Sequence, residues 1–247
     1  MKIKLIFEKF APSLFILILV LVAFIGFSWK EIAKLESIFS KKENEQTVTG
    51  VAGPRLGRDD LKGYAKELGL DSDKFNSCFD GQKYKDELDM DVAYGYELEL
   101  EGTPAFFVGG HYIDGVVTFS ILREAIEFEL KGGDWSKMPA NLTDYVSSDK
   151  EDINIERGEK KGREDAKVVL VEFGDFECSY CGQFWSESEG QLIKDYVDTG
   201  KVLFVFKQLP LFTVHPNAVN AAHAAYCASE QGKFWEMHDL MYKSHGY

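Results

Sequence analysis

VVLVEFGDFECSYCGQFW, residues 168–185, decides how the rest of the chain is read. Val168 to Phe173 is apolar except for Glu172, as in a strand covered on both faces. Gly174 and Asp175 end the run. After Cys181 the apolar positions Phe184, Trp185, Leu192, Ile193 and Tyr196 recur at helical spacing. Strand, short turn and helix therefore place Cys178 in the first turn of the helix, where unpaired N–H groups and the positive dipole end favour thiolate over thiol. Two intervening residues on a helical turn bring Cys181 within bonding reach, so the pair can cycle between dithiol and disulfide. Half a zinc site and a static disulfide are the other readings of such a pair. Zinc normally takes four ligands, and no second CxxC or CxxH supplies the other two, so no metal is expected.

The chain has 247 residues, room for one or two domains. Its net charge of −13 argues against nucleic acid or an anionic membrane surface as a partner. The acids are spread over helices and linkers and read as a solvated surface, and no cofactor is expected. Four cysteines, Cys78, Cys178, Cys181 and Cys227, suit an oxidising compartment without proving one.

Compartment is read from the N-terminus. Lys2, Lys4 and Lys9 precede an uncharged stretch from Ala11 to Trp29, close to the ~20 residues a membrane helix needs. No small-x-small cleavage site follows, so 1–39 is expected to be an uncleaved signal anchor with its transmembrane helix over about 11–29. A cleaved signal peptide is the alternative. The lysines favour a cytoplasmic N-terminus, which puts the remainder outside, in a periplasm or at the cell exterior. Residues 40–58 are polar and aperiodic and read as a tether.

Helices are expected next. One is capped by Asp59-Asp60 and carries Leu61, Tyr64, Ala65 and Leu68. A second, capped from Asp71 to Asp73, carries Phe75, Cys78 and Phe79, and a third runs from about Tyr84 to Leu98. Glu101 to Gly110, EGTPAFFVGG, reads as a strand opened by proline and closed by a glycine turn, with His111 to Ile113 returning. Thr118 to Leu130 is an amphipathic helix, and 132–166 a polar linker. Beyond the CxxC helix, Val202 to Leu209 is a second strand, His215-Pro216-Asn217-Ala218 opens an alanine-rich helix through Cys227, and Lys233 to Lys243 forms another helix.

FGDFECSYC, with HPNA (215–218), GKFWEMHDLMY (232–242) and the Thr103-Pro104 strand, resembles the DsbA-like branch of the thioredoxin superfamily. The resemblance implies an α/β thioredoxin-like fold with a helical insertion, but with its halves reversed: 59–131 is similar to the family's second half and 167–247 to its first. Together they make about 150 residues, an ordinary domain size. A single permuted domain, a swapped dimer and a fragment of a tandem protein are the possible explanations, the first being preferred. By resemblance, Cys178 is the nucleophile, Cys181 the resolving thiol, and Glu172 the buried carboxylate that shuttles the Cys181 proton. Periodicity leaves open whether Glu172 points to solvent instead. Thr103 and a cis Pro104 hold the substrate strand, with Gly102, Phe176 and Tyr180 near it. Cys78 and Cys227 are expected to pair, two buried free thiols being the alternative.

The implied activity is thiol–disulfide exchange with cysteine-containing secreted or membrane proteins, oxidation favoured, served by a membrane quinone-linked disulfide-generating enzyme. Ser179-Tyr180 lacks the histidine of the strongest oxidants in the family, which implies a milder poise. Disulfide reduction or isomerisation is the runner-up. A non-catalytic module that grips extended peptides is the third reading.

Overall fold

Alternating apolar residues in two neighbouring strands build the centre of the molecule. A computed structural model describes residues 55–113, 115 and 118–246. In chain order the helices are α1 (Arg58–Glu67), α2 (Ser72–Asp80), α3 (Lys85–Glu97), α4 (Phe119–Leu130), α5 (Ser179–Phe184), α6 (Ala218–Ser229) and α7 (Phe234–Lys243). The strands are β1 (Ala105–Val108), β2 (His111–Ile113), β3 (Val146–Lys150), β4 (Glu159–Lys161), β5 (Val168–Gly174) and β6 (Val202–Gln208). They form one open sheet in the order β3-β2-β1-β5-β6-β4. Only β5 and β6 run parallel; every other neighbouring pair is antiparallel.

The strand period of two sorts the side chains. Phe106, Val108, Val168, Leu170, Val202 and Phe204 form one face, covered by α4 and the helical run that begins with α5. Phe107, Val171, Phe173, Leu203 and Val205 form the other, covered by Leu98, Leu100, Ile153 and Ile155. A third cluster joins α1, α2, α6 and α7 to the turn after β5. Both faces of β5 and β6 are therefore covered, which is why their sequences read as nearly unbroken apolar runs. Gly174 ends β5 where a Cβ would lie 2.5 Å from the Phe206 ring. Gly109 and Gly110 turn β1 into β2 with φ of 60° and 95°, which glycine adopts without steric cost.

Local start signals hold with one shift. Asp71 caps α2, its side chain accepting from the Asp73 and Lys74 N–H groups. Asp59 and Asp60 do not cap α1; they lie in its first turn, favourably placed for the helix dipole. Beyond α5 the helix continues through π-type turns, Trp185–Glu189 and Ile193–Val197, on either side of Gly190–Leu192.

Two expectations are corrected. The segment 132–166 is not only a linker. It supplies both outermost strands, β3 and β4, while Trp135 stacks on His111 with ring centroids 4.3 Å apart. The expected transmembrane helix over 11–29 lies outside the described residues, and no helix among the described residues is long and apolar enough to cross a membrane. The membrane-anchored form of the fold is thus corrected to an open α/β thioredoxin-like sheet with a helical insertion. The signal anchor, the extracytoplasmic placement and the quinone-linked membrane partner, all of which depended on it, are not carried further.

Candidate functional site

Chain segments about 75 positions apart meet at one sulfur. Antiparallel pairing of β1 with β5 sets Phe106 opposite Glu172, so the residues just before β1 arrive beside the turn just after β5. There the Cys178 thiol donates to the Thr103 carbonyl oxygen at 3.2 Å. The Thr103–Pro104 bond is cis, and both residues are buried. Cys178 is the residue preceding α5, one position earlier than a first-turn placement. Neither Cys178 nor Cys181 is in a disulfide.

The turn is held by carboxylates. Asp175, fully buried, accepts from the Glu177 N–H through Oδ1 at 2.8 Å, and through Oδ2 from the Leu211 N–H at 2.8 Å, with His215 Nδ1 at 2.7 Å. Glu177 in turn accepts from the Asn217 backbone N–H and side-chain amide, at 2.5 and 2.9 Å. The 211–217 loop is thereby clamped to the turn that carries Cys178. Sequence reading took Gly174-Asp175 as a strand terminator and missed this clamp. The available signal was an acid in the turn together with the His-Pro-Asn cluster, whose partner only the fold identifies.

The two thiols are electrostatically unlike. The Cys178 pKa is lowered to about 6, chiefly by a hydrogen bond from the Cys181 thiol, then by the Thr103 side chain and the N–H groups of Cys181 and Tyr180, against the cost of burial. Burial, and then the neighbouring Cys178, push the Cys181 thiol far up. Glu172 is buried on the β5 face that also carries Val168 and Leu170, so it does not point to solvent. Burial first, then Glu189 and Cys178, hold its carboxyl well above the usual range. Its Oε2 has no hydrogen-bond partner among the described residues.

Other expected residues separate. Tyr180 is 57% exposed beside Cys178. Gly102 precedes Thr103 with nothing within 4 Å of where a Cβ would stand. Phe176 is corrected: it is 1% exposed and stacks on Phe206 at 5.3 Å, so it is packing rather than surface. Cys78 and Cys227 are joined by a disulfide between α2 and α6, with Cα atoms 5.8 Å apart. A groove of about 240 Å³ lies beside Pro104, lined by Phe106, Thr118, Phe119, Gln183 and Phe184.

Comparison with known proteins matches two separate segments of the chain. The family described as "Thioredoxin" matches residues 156–247, and the family described as "DSBA-like thioredoxin domain" matches residues 51–127. The chain is 46% identical over 89 residues to the Na(+)/H(+) antiporter NhaA 3 of Salinispora tropica, covering 36% of this chain and 13% of that protein. It is 43% identical over 94 residues to the Na(+)/H(+) antiporter NhaA 1 of Salinispora arenicola, covering 38% and 14%. It is 35% identical over 83 residues to the probable disulfide bond formation protein D of Bacillus anthracis, covering 34% and 38%. The chain thus spans about one-seventh of the antiporters it matches and little more than a third of the disulfide protein. Around the Cys178–Cys181 pair, which is in no disulfide, the described part of the chain thus has a thioredoxin-like fold whose two matched segments are similar to a DsbA-like thioredoxin domain and to thioredoxin.

Proposed function

We propose that Cys178 and Cys181 exchange disulfides with cysteine-containing polypeptides through a mixed disulfide on Cys178. The observation that carries this reading is the asymmetry of the pair: one thiol is lowered to about 6 and the other pushed far up by burial. At neutral pH Cys178 is largely thiolate and attacks, whereas Cys181 stays protonated until a base takes its proton. Glu172 is that base, a buried carboxyl electrostatically coupled to both sulfurs. Thr103 and Pro104 wall the space in front of Cys178, Gly102 leaves room for a partner's backbone, and Tyr180 offers an exposed ring beside it. A low-pKa thiol is also a good leaving group, which favours running the exchange toward oxidation of a partner's dithiol.

The same reading makes 59–131 and 167–247 the two halves of a single domain in reversed order. Pairing of β1 with β5 and the Cys78–Cys227 bond, 149 positions apart, support it. The test is insulin precipitation by dithiothreitol, with and without the purified chain. The chain should accelerate it and Cys178→Ala should not. Equal acceleration by the variant would refute exchange through Cys178. If the wild-type chain is inactive but binds extended peptides, the peptide-gripping module is the better description.

A further inference from the structure

Three carboxylic acids and a histidine lie between the cysteine pair and the surface, and the reaction above uses only the first of them. Glu172 lies opposite Phe206 in the β5–β6 register, the ring against which His238 packs, and the charge it feels most is that of Glu189, 4% exposed, at the end of the π-type turn Trp185–Glu189. Turns of this type are rare inside helices and are frequently found at functional sites. Glu189 Oε2 lies 3.7 Å from Nε2 of His238 on α7. His238 is fully buried, its ring edge-on to Phe176, Phe206 and Tyr242. Its Nδ1 lies 3.0 Å from Asp239 Oδ1, which also accepts from the Trp185 indole N–H at 3.0 Å. The Asp239 side chain is 50% exposed. Lys161 on β4, its ammonium 4.4 Å above the Trp235 ring, is the cation that both Glu189 and Asp239 feel.

Glu172 Oε2, Glu189 Oε2 and His238 Nε2 are all buried and all lack a hydrogen-bond partner among the described residues. Buried polar atoms are ordinarily paired, so three such atoms in neighbouring side chains call for a reason. Groups that must accept and release a proton in turn cannot have every lone pair committed to a fixed partner.

We propose that Glu189, His238 and Asp239 form a proton relay between solvent and Glu172, serving the deprotonation of Cys181. The inference rests on the exchange reaction proposed above. In the step served, the Cys181 thiol gives its proton to the Glu172 carboxylate and its sulfur attacks Cys178 Sγ in the mixed disulfide. The Cys178–partner S–S bond breaks, and the partner sulfur leaves as thiolate with the electron pair. Two enzyme thiols are oxidised to one disulfide and one partner disulfide is reduced. The proton on Glu172 passes to Glu189, then to His238 Nε2, while Nδ1 releases one to Asp239 at the surface. The reverse direction returns it by the same route.

The same three side chains also bring donor atoms within 4.8 Å of one another, the spacing of a metal site. However, His238 Nδ1 already faces Asp239 and the ring is boxed by aromatics, which disfavours further ligands.

The test uses the full reduced chain and an aromatic disulfide that releases a coloured thiolate. A concentration-dependent first phase reports Cys178; a concentration-independent second phase reports Cys181. Glu189→Gln should slow the second phase by about tenfold or more at low buffer, a modest share of what general acid–base assistance supplies. Added formate or imidazole at constant ionic strength should restore it, with the first phase unchanged. Asp239→Asn, at a half-exposed site, should show a smaller slowing, also reversed by buffer. A second phase at the wild-type rate, or one slowed without buffer rescue, overturns the relay. Should Glu189→Gln fail to fold, an unaffected Asp239→Asn overturns it. Stoichiometric zinc retention by the wild-type chain, lost in Asp239→Asn, would assign the cluster to metal instead. Absence of a first phase in the wild-type chain would be a failure of the exchange reading itself, distinguishable because it precedes any variant.

Discussion

The two cysteine pairs are equally hidden and behave differently. Cys78 and Cys227 are 5% and 1% exposed, and Cys178 and Cys181 are 5% and 0%. Burial therefore does not sort them. Cys78 and Cys227 project from two packed helices into an apolar cluster with Phe75, Phe79 and Ala224, and are bonded to each other. Cys178 instead borders the start of a helix, with the backbone N–H groups of Tyr180 and Cys181 and a second thiol around it. What a sulfur's neighbours donate, more than how much water reaches it, separates a staple from a reactive centre.

The comparison breaks first at Cys178. Replacing it with alanine should reduce exchange to the uncatalysed background and leave the denaturation midpoint within about 0.5 kcal/mol of the parent reduced protein at pH 6, where its ionisation adds little. Retained exchange would mean that the sorting by neighbours is wrong. Replacing Cys78 and Cys227 together should do the reverse, costing about 2–5 kcal/mol in urea unfolding because a long loop is no longer closed. The alkylation midpoint of Cys178 should remain near about 6. A large shift would show that the staple shapes the site as well as the fold.

Smaller effects sharpen the same contrast. Glu172→Leu removes a buried carboxyl whose Oε2 is unpartnered and should stabilise the protein by about 1–3 kcal/mol while slowing release from the mixed disulfide. Denaturation and single-turnover release measured on one preparation decide it, and a less stable variant would mean that Glu172 is paired after all. The pH dependence gives the last test. The folded-state pKa of Cys178 lies below its unfolded value of about 9, so its contribution to the reduced protein is complete above pH 9 and is lost as pH falls through about 6. Between those limits, reduced wild type should gain stability over Cys178→Ala as pH rises. A flat difference would remove the thiolate from the account.

The reactive pair, its strand and the Thr-Pro strand were legible because each carries a local signal: an apolar run, a CxxC, a proline at a strand start. The clamp from Asp175 to His215 was not, since it depends on two loops 40 positions apart meeting. Neither Glu189 nor His238 was singled out in the sequence: Glu189 lies at the end of a π-type turn, which shifts which residues face inward in a way that periodicity at 3.6 does not register, and the buried site of His238 depends on Glu189 meeting it from another helix. Glu172 could be read as buried or exposed until β5 was seen to be covered on both faces. The strands β3 and β4 were missed for a related reason. Val146 is the one buried residue among their eight, so neither an apolar run nor a clean alternation marks them.

That polarity has a use at the rim of the sheet. An outermost strand presents unpaired N–H and C=O groups, a template on which another chain can add itself and begin aggregation. Here the two rims are VSSDK and EKK, five and three residues long. Any strand arriving from outside would gain few backbone hydrogen bonds and would have to strip water from lysine and carboxylate side chains. The aromatic-rich strands β1, β5 and β6 are thereby kept in the interior, and the residues that most disguised 132–166 as a linker are those that keep copies of the protein from pairing edge to edge.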